Sequence, residues 1–301
     1  MRIGFIGLGN MGGPMALNVM KVGHTMVVND IRREMAAPHL RQGATWADTP
    51  KAVAEQSELI FTSLPGPREV EAVALGENGI IEGAAPGTIY ADLSTSSATL
   101  IRRIHGIFRA KGIHVLDAPV SGGASGARRA SLAVMVGGDE ALYNQIKPVL
   151  DAIGDKVTYI GEIGCGTIAK IVHNMVSICS RVAIAEGLTL GVKAGVSPRA
   201  LLDAIQRGSF GQGRVLKESI PDTVFKGDFD NVSFALKLSR KDLGLATDLA
   251  KEYHVPMLVA GLVEQQLEEA LQRGLGDKDS SAIFLLQEER AGVHVRDPMR
   301  P

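Results

Sequence analysis

The sequence is poor in cysteine and carries almost no net charge. Its two cysteines, Cys165 and Cys179, are too few among 301 residues for a disulfide framework or a thiolate metal site. With 32 basic and 33 acidic residues the net charge is −1, so nothing electrostatic favours nucleic acid or an anionic membrane as a partner. No H-E-x-x-H motif or carboxylate cluster is present, and no metal site is expected.

A long apolar segment without charges is also missing. The most apolar stretch, Ile168 to Val192, includes Lys170, Arg181 and Glu186, which is too polar for a bilayer core. It is expected to be a helix of a protein that does not enter the membrane. The first strand pattern begins one residue after Met1, which leaves no room for a leader and, with so few cysteines, predicts a cytoplasmic protein.

Up to about residue 160, short β-branched segments alternate with helical patterns. Such alternation predicts a doubly wound parallel sheet with crossover helices, an α/β fold of the Rossmann type. The predicted strands are RIGFI, TMVVN, ELIFTS, TIYADL, IHVLDA, LAVMVG and VTYIG.

The second half of the sequence shows helical patterns and no strand pattern. Ile168 to Ala194 predicts one helix of about 25 residues, and further helices are predicted over Pro198–Gln206, Phe234–Tyr253, Pro256–Arg273 and Ser280–Arg290. We therefore expect a Rossmann domain over residues 1–162 and an all-helical domain over 163–301, with the long interdomain helix lining the cleft between them. The amphipathic helices favour a homodimer or homotetramer, and the tail after Gly292 is expected to fray.

A glycine-rich turn follows the first predicted strand and predicts a dinucleotide site. The turn reads Gly7-Leu8-Gly9-Asn10-Met11-Gly12, and the second strand ends at Asn29-Asp30. In a G-x-G-x-x-G turn the first glycine permits the tight turn, the second lets the pyrophosphate approach the backbone, and the third lets helix and strand pack closely. The alternative is a tight turn without a ligand, but the strand, the helix and the acidic residue all agree with the motif.

The acidic residue favours NAD as the cofactor. The Asp30 carboxylate can accept hydrogen bonds from the ribose hydroxyls and would repel a 2′-phosphate. Arg32 and Arg33 follow directly and could pair with that phosphate instead of being solvated, so NADP stays open.

A lysine and an asparagine share one face of the long helix. Lys170 and Asn174 are four residues apart, and Lys170 lies among apolar neighbours. Partial desolvation would lower the pKa of this lysine toward the range useful for proton transfer. The alternative is a surface lysine whose stem covers apolar surface. His173 points about 60° to 100° away on an ideal helix and is interpreted as packing.

Almost the whole chain resembles the β-hydroxyacid dehydrogenase family, which includes 3-hydroxyisobutyrate dehydrogenase, tartronate semialdehyde reductase and 6-phosphogluconate dehydrogenase. Four segments carry the resemblance: GFIGLGNMGGPMA at Gly4–Ala16, DAPVSGGASGA at Asp117–Ala127, GCGTIAKIVHN at Gly164–Asn174 and KDLGLA at Lys241–Ala246.

The resemblance assigns roles to residues that composition and spacing alone do not. It implies that Lys170 is the general acid/base and Asn174 a substrate-orienting amide, and that Ser121, Gly122 and Gly123 hold the substrate carboxylate and nearby hydroxyl. It also implies a pocket-closing role for Phe234, a place beside the cofactor for Leu64, Pro65, Thr95 and Lys241, and a role for Asp242 in fixing the helix that carries Lys241. The alternative for Leu64, Pro65 and Thr95 is an ordinary loop position after a strand, and the alternative for Phe234 is a residue of the hydrophobic core.

The expected activity is hydride transfer between a nicotinamide cofactor and a small 3-hydroxy acid resembling 3-hydroxyisobutyrate. Reduction of tartronate semialdehyde or a related aldehyde acid is an alternative, and a non-catalytic dinucleotide sensor is a third, since fold does not fix function. A decarboxylating sugar-acid dehydrogenase is disfavoured because those relatives have much longer helical C-terminal domains. The pair Arg128-Arg129 after the substrate loop departs from many relatives and leaves the substrate's side group open.

Overall fold

A computed structural model of the chain describes residues 1–193, 195–208, 211, 213, 215–252 and 258–297. The chain forms two compact units, Met1–Lys170 and Ile171–Pro301, called here the first and second unit. The division falls within the long helix that the sequence places at the start of its second domain.

The first unit is built on one nine-stranded sheet. Its strands are β1 (Arg2–Ile6), β2 (Thr25–Asn29), β3 (Thr45–Trp46), β4 (Leu59–Thr62), β5 (Ile89–Asp92), β6 (His114–Asp117), β7 (Val120–Ser121), β8 (Ala133–Gly137) and β9 (Lys156–Gly161). The order is β3-β2-β1-β4-β5-β6-β8-β7, and β9 pairs with β8. The first six strands are parallel, in the order typical of Rossmann folds. The strand order reverses between β1 and β4, where such sheets bind ligands.

The sheet departs from a purely parallel arrangement at its far end. Strand β8 is antiparallel to both β6 and β7 and parallel to β9. Strands β6 and β7 run in the same direction along β8 with one continuous register, since Asp117 pairs with Gly137 and Val120 pairs with Val134. The chain turns back between β7 and β8, over residues 122–132.

Helices cover both faces of the sheet in the first unit. They are α1 (Gly12–Lys21), α2 (Ala37–Leu40), α3 (Pro50–Ala54), α4 (Pro67–Leu75), α5 (Ile80–Gly83), α6 (Ala98–Arg109), α7 (Gly123–Arg129) and α8 (Glu140–Leu150), with a 3₁₀ turn at Arg33–Ala36. Side chains alternate between the two faces: Phe5 and Phe61 belong to one apolar cluster, while Ile6 and Ile60 belong to the other. The sheet is therefore buried on both sides, which explains its nearly continuous apolar strands.

All regular elements in the described residues of the second unit are helical, and its one β-pairing there is an isolated bridge between Ala235 and Asp279. Helix α9 (Cys165–Lys193) runs into it from the first unit. The further elements are α10 (Pro198–Arg207), a π-helical segment (Val215–Val224), α11 (Leu236–Glu252), α12 (Leu258–Gln272), a 3₁₀ turn (Ser280–Ala282) and α13 (Ile283–Ala291). Residues 209, 210, 212 and 214 lie outside the described residues, as do the predicted helix ends at Ala194, Tyr253 and Pro256.

The seven predicted strands and the predicted long helices are confirmed, while short elements were missed. Strands β3 and β7 have two residues each, too few for a periodic pattern to show. The expected fraying after Gly292 is wrong for residues 293–297. Val295 is fully buried and donates its N–H to Glu288 Oε1 at 2.9 Å, and the Asp297 carboxylate lies 3.3 Å from Arg199 Nε.

No helix in the described part of the chain has both the length and the apolar composition to cross a membrane.

Candidate functional site

The turn between β1 and α1 is shaped by its glycines. Gly7 has φ +91°, where L side chains are strained. A Cβ on Gly12 would lie 1.9 Å from the Gly7 carbonyl oxygen, whereas a Cβ on Gly9 would meet no atom within 4 Å. The first and third glycines are thus needed by the fold, and the second leaves open space beside the backbone. That space is what a pyrophosphate approaching a G-x-G-x-x-G turn requires.

Asp30 is fixed against this turn. Its Oδ2 accepts from the Leu8 N–H at 2.6 Å and its Oδ1 from the Arg32 N–H at 2.8 Å. Each carboxylate oxygen has a second lone pair that can accept from a ribose hydroxyl. The neighbouring Asn29 is buried and donates its amide to the Ala47 carbonyl at 2.8 Å, so its side chain joins β2 to the segment after β3. Its contribution to cofactor binding stays a prediction.

The two arginines after β2 differ in their surroundings. The Arg33 guanidinium lies 5.4 Å from the centre of the Trp46 ring, and its Nη1 is 3.9 Å from Asp48 Oδ1. Both arginines are exposed. Arg33 is therefore directed toward Trp46 and Asp48, although an exposed pair of this kind is weak.

The loops after β4 and β5 join at the same edge of the sheet. The Leu64 N–H donates to Ser94 Oγ at 2.9 Å, and the Ser94 N–H donates to Asp92 Oδ1 at 3.0 Å. Leu64 and Thr95 are half-buried and Pro65 is exposed. These loops follow strands on the far side of the switch point from β2, where the nicotinamide half of a dinucleotide is expected.

Two buried carboxylates, missed as functional candidates in the sequence, end neighbouring strands at this edge. Asp92 and Asp117 are register partners in β5 and β6. Burial raises the pKa of Asp92 to about 6, although hydrogen bonds from Ser94 and Thr62 oppose the rise. Burial also raises the pKa of Asp117, against hydrogen bonds from Gly164 and Thr167. The available signal was an acidic residue at the end of an apolar strand, where charge needs partners.

The predicted substrate loop follows β6 and requires glycine. Gly122 has φ +136° and Gly123 φ +62°, and a Cβ on Gly122 would lie 2.9 Å from Leu132 Cδ2. Ser121 and Gly122 are half-buried and Gly123 is exposed. The loop therefore presents a hydroxyl and backbone groups with no side chain in front of them.

The pair Arg128-Arg129 lies at the other end of helix α7. About 1.5 Å of rise per residue places these arginines roughly 8–9 Å along the axis from Gly123. Both are exposed, and Arg129 Nη1 donates to Ser125 Oγ at 2.6 Å. Cations in the last turn of a helix are favourable. Their position separates them from the substrate loop.

Lys170 lies in the second turn of α9 and is buried, with 7% of its surface exposed. The start of this helix is tied to the sheet, because Asp117 accepts from the Gly164 and Thr167 N–H groups at 2.7 and 2.6 Å. The lysine is thus on a rigid turn of the first unit.

The second unit brings together three residues named from the sequence. Asp242, 2% exposed, accepts from Asn174 Nδ2 at 2.5 Å and lies 2.8 Å from the Lys241 ammonium. His173 Nδ1 is 3.1 Å from Asn174 Oδ1. The interpretation of His173 as packing is therefore incomplete, because its ring contacts the side chain of Asn174. A helical wheel does not show a contact between adjacent residues.

Phe234 lies just before α11 instead of within it. Its N–H donates to Asp279 Oδ2 at 3.3 Å, and its carbonyl accepts from the Ser280 N–H at 2.7 Å. The residue is half-buried. Its backbone is therefore held by the segment before α13, and the pocket-closing role stays a prediction.

The comparisons with known proteins cover both units. Residues 2–161 match the family model described as the NAD binding domain of 6-phosphogluconate dehydrogenase. Residues 164–286 match the model described as the NAD-binding of NADP-dependent 3-hydroxyisobutyrate dehydrogenase. Together these models span most of the chain.

Named relatives align along nearly their whole length. The chain is 38% identical to 2-(hydroxymethyl)glutarate dehydrogenase of Eubacterium barkeri, over 98% of this chain and 97% of that protein. It is 34% identical to 2-hydroxy-3-oxopropionate reductase of Escherichia coli, over 94% and 96%. The solved structure of Mycobacterium tuberculosis 3-hydroxyisobutyrate dehydrogenase with L-serine has a TM-score of 0.87 at 30% identity, over 95% of this chain and 98% of that one.

Proposed function

The chain belongs to the β-hydroxyacid dehydrogenase family of NAD(P)-binding oxidoreductases, and from this premise we propose that it oxidises a small 3-hydroxy acid resembling 3-hydroxyisobutyrate, or reduces the matching semialdehyde. The observation that carries the proposal is the buried Lys170 on a helix tied to the strand that leads into the substrate loop.

In this proposal the cofactor is held by the first unit. The open backbone at Gly9 receives the pyrophosphate, and Asp30 accepts from the ribose hydroxyls. The remainder of the cofactor would be lined by Leu8, Asn10, Met11, Asn29, Leu64, Pro65 and Thr95. The place of Lys241 beside the nicotinamide, which the resemblance implies, stays a prediction. NAD is preferred over NADP because Asp30 is a fixed anion at the ribose and Arg33 is directed toward Trp46 and Asp48.

The proposed proton transfer uses Lys170. Ser121, Gly122 and Gly123 hold the substrate carboxylate, which places the 3-hydroxyl at the lysine amine. Lys170 Nζ takes the hydroxyl proton as the carbonyl forms, and returns it when an aldehyde is reduced. A nicotinamide, when bound, would supply the two-electron chemistry as hydride acceptor. Burial keeps water from competing for the lysine.

Asn174 is proposed to orient the same hydroxyl. One N–H of its amide donates to Asp242, and an amide nitrogen has a second N–H that can donate to the substrate oxygen. The contact with Asp242 fixes which end of the amide is the donor, and the contact with His173 at 3.1 Å supports the same orientation when Nδ1 carries the proton.

Two alternatives remain. The Escherichia coli relative is named a 2-hydroxy-3-oxopropionate reductase, so reduction of an aldehyde acid is the second candidate, and it differs in preferred direction and coenzyme. A non-catalytic dinucleotide sensor would bind NADH without turnover. The retained lysine argues against the sensor, since binding alone has no need for a proton-transfer group.

The cellular location and assembly are also proposed. Both cysteines are free thiols, in keeping with a reducing compartment such as the cytoplasm. A homodimer or homotetramer is the proposed assembly.

Substituting Lys170→Ala tests the proposed chemistry. We expect kcat to fall by about 10²–10⁴-fold, the usual contribution of a general acid/base, with NADH binding retained. The matched control is Lys156→Ala, an exposed lysine of the first unit, which should leave kcat unchanged. Turnover of Lys170→Ala near the normal rate would contradict the assignment.

A further inference from the structure

Asp117 joins strand β6 to the start of helix α9. The residue ends β6 and is 1% exposed. Its two carboxylate oxygens accept from different N–H groups at the start of α9, Gly164 at 2.7 Å and Thr167 at 2.6 Å. These are groups that a helix leaves without internal partners. The carboxylate therefore caps the N-terminus of α9 from strand β6.

The helix start lies so close to the sheet that neither Gly166 nor Gly137 has room for a side chain. A Cβ on Gly166 would lie 2.2 Å from the Met135 carbonyl oxygen and 2.9 Å from that of Asp117. A Cβ on Gly137 would lie 2.6 Å from Asp117 Oδ1 and 2.7 Å from the Gly166 nitrogen. The two glycines thus admit the Asp117 carboxylate to the helix backbone.

We propose that Asp117 is a positioning residue, whose carboxylate sets the place of Lys170 relative to the substrate loop. This inference rests on the proposed function. Lys170 follows Thr167 by three residues, about 4.5 Å along the helix axis, and Ser121 follows Asp117 by four residues. One carboxylate thus connects the segment that holds the substrate carboxylate to the helical turn that presents the base.

A carboxylate suits this task better than an amide. It offers an acceptor to each of the two N–H groups, and its charge is favourable beside the positive end of a helix. Asparagine at the same place keeps one acceptor and turns an N–H toward the other donor. Alanine keeps neither acceptor. The substitutions should therefore have graded effects on the position of the turn that carries Lys170.

The kinetic test compares Asp117→Asn and Asp117→Ala with the wild type, with kcat measured per NADH-binding site. We expect kcat to fall about tenfold or more for Asn and further for Ala, because small displacements of a reacting group are costly, while the Kd for NADH changes less than about twofold. The isotope effect on kcat with substrate deuterated at the carbinol carbon should not fall. Ile104→Ala, a buried change on α6, controls for lost stability and should keep kcat per site.

Amide hydrogen exchange tests the contact without using activity. In the wild type, the Gly164 and Thr167 amides should be as protected as those of β6, and in Asp117→Asn their exchange should increase about tenfold or more while β1 is unchanged. Fast exchange of both amides in the wild type would overturn the inference even if neither variant folds.

The two proposals fail in different ways. If Lys170→Ala turns over normally, the proposed function is wrong, whatever Asp117 does. If Lys170→Ala is inactive but Asp117→Asn has normal kcat per site, the positioning role of Asp117 is wrong and the lysine assignment stands.

Discussion

At the scale of single residues, the edge of the sheet depends on acidic side chains that are buried but hydrogen-bonded. Asp92 and Asp117 lie side by side at the ends of β5 and β6, and each accepts from backbone N–H groups of a loop or helix start. Burial disfavours the charged form, and these hydrogen bonds favour it. The positions of the cofactor loops and of α9 thus depend on two carboxyl groups whose pKa values burial raises.

Asp92→Asn should change how stability depends on pH. The pKa of Asp92 is about 6 in the folded protein against an ordinary value of 3.8. The contribution of this pKa difference to the stability of the folded protein is therefore fully present below pH 4 and is lost as the pH rises through 6. The difference corresponds to about 2–3 kcal/mol. Asparagine keeps an acceptor for Ser94 and Thr62 and does not ionise.

Thermal unfolding at pH 4.5 and pH 7.5 measures this effect. The Tm of Asp92→Asn relative to wild type should rise by several degrees between the two pH values. Asp155→Asn, at an exposed position, serves as the control and should show no such change. A Tm difference for Asp92→Asn that is constant with pH would contradict the burial argument.

Single residues also show which contacts the sequence alone cannot predict. Lys170 and Asn174 could be placed on one helix face from their spacing, and Asp30 could be identified from its position after a strand. Both patterns are local in the sequence. The hydrogen bonds of Asp117 span 47 and 50 residues, and the contact from Asn174 to Asp242 spans 68. Partners at such separations depend on tertiary packing, which no local pattern contains.

At the scale of elements, the glycine-rich turn separates residues that the fold needs from one that the ligand needs. Gly12 has the Gly7 carbonyl oxygen where its Cβ would be, and Gly9 has open space. Identical substitutions at the two positions should therefore have opposite consequences for stability and binding.

Gly9→Ala and Gly12→Ala test this separation as a matched pair. Gly9→Ala should keep Tm within about one degree and weaken NADH binding about tenfold or more, because the methyl group occupies the approach of the pyrophosphate. Gly12→Ala should lower Tm by several degrees, since the helix must move away from the strand. Thermal unfolding and fluorescence titration with NADH measure both quantities. Normal NADH affinity in Gly9→Ala would contradict the placement of the cofactor.

Long secondary-structure elements could be predicted from the sequence, and short ones could not. Strands β1, β2, β4, β5, β6, β8 and β9 and helix α9 repeat a pattern over enough residues to be identified. Strand β7, with two residues, and the π-helical segment Val215–Val224 with its internal Pro221 are set by their surroundings. The docked tail was missed because Val295 and Asp297 gain partners only after folding.

At the scale of the whole molecule, exposed apolar side chains support the proposed assembly. Val172 and Val176 on α9 are 46% and 53% exposed, and Val259 and Leu262 on α12 are 61% and 67% exposed. Each pair is apolar surface that a second subunit would cover in the proposed assembly. Light scattering after gel filtration should give two or four times the chain mass of 31.9 kDa, and a monomer mass would refute the proposal.

Composition restricted only the broad class of the whole molecule. Two cysteines, a net charge of −1 and the absence of a long uncharged segment left an ordinary globular protein as the main class, and the predictions of an α/β fold and of an enzyme came from the alternating patterns and the motifs. The side group of the substrate was left open because the pocket depends on loops whose shape has no local pattern. Arg128 and Arg129 are an example, because helix α7 places these two residues away from the substrate loop.

The most direct test of the central claim is a spectrophotometric assay of NAD⁺ and NADP⁺ reduction against 3-hydroxyisobutyrate, 3-hydroxypropionate, glycerate, serine, 2-(hydroxymethyl)glutarate and 6-phosphogluconate. We predict that one short 3-hydroxy acid gives the highest kcat/KM, with NAD⁺ preferred, and that Lys170→Ala lowers this activity by about 10²–10⁴-fold. Silence toward every acid and toward reduction of the matching semialdehydes, in a protein that still binds NADH, would contradict the account and favour a dinucleotide sensor.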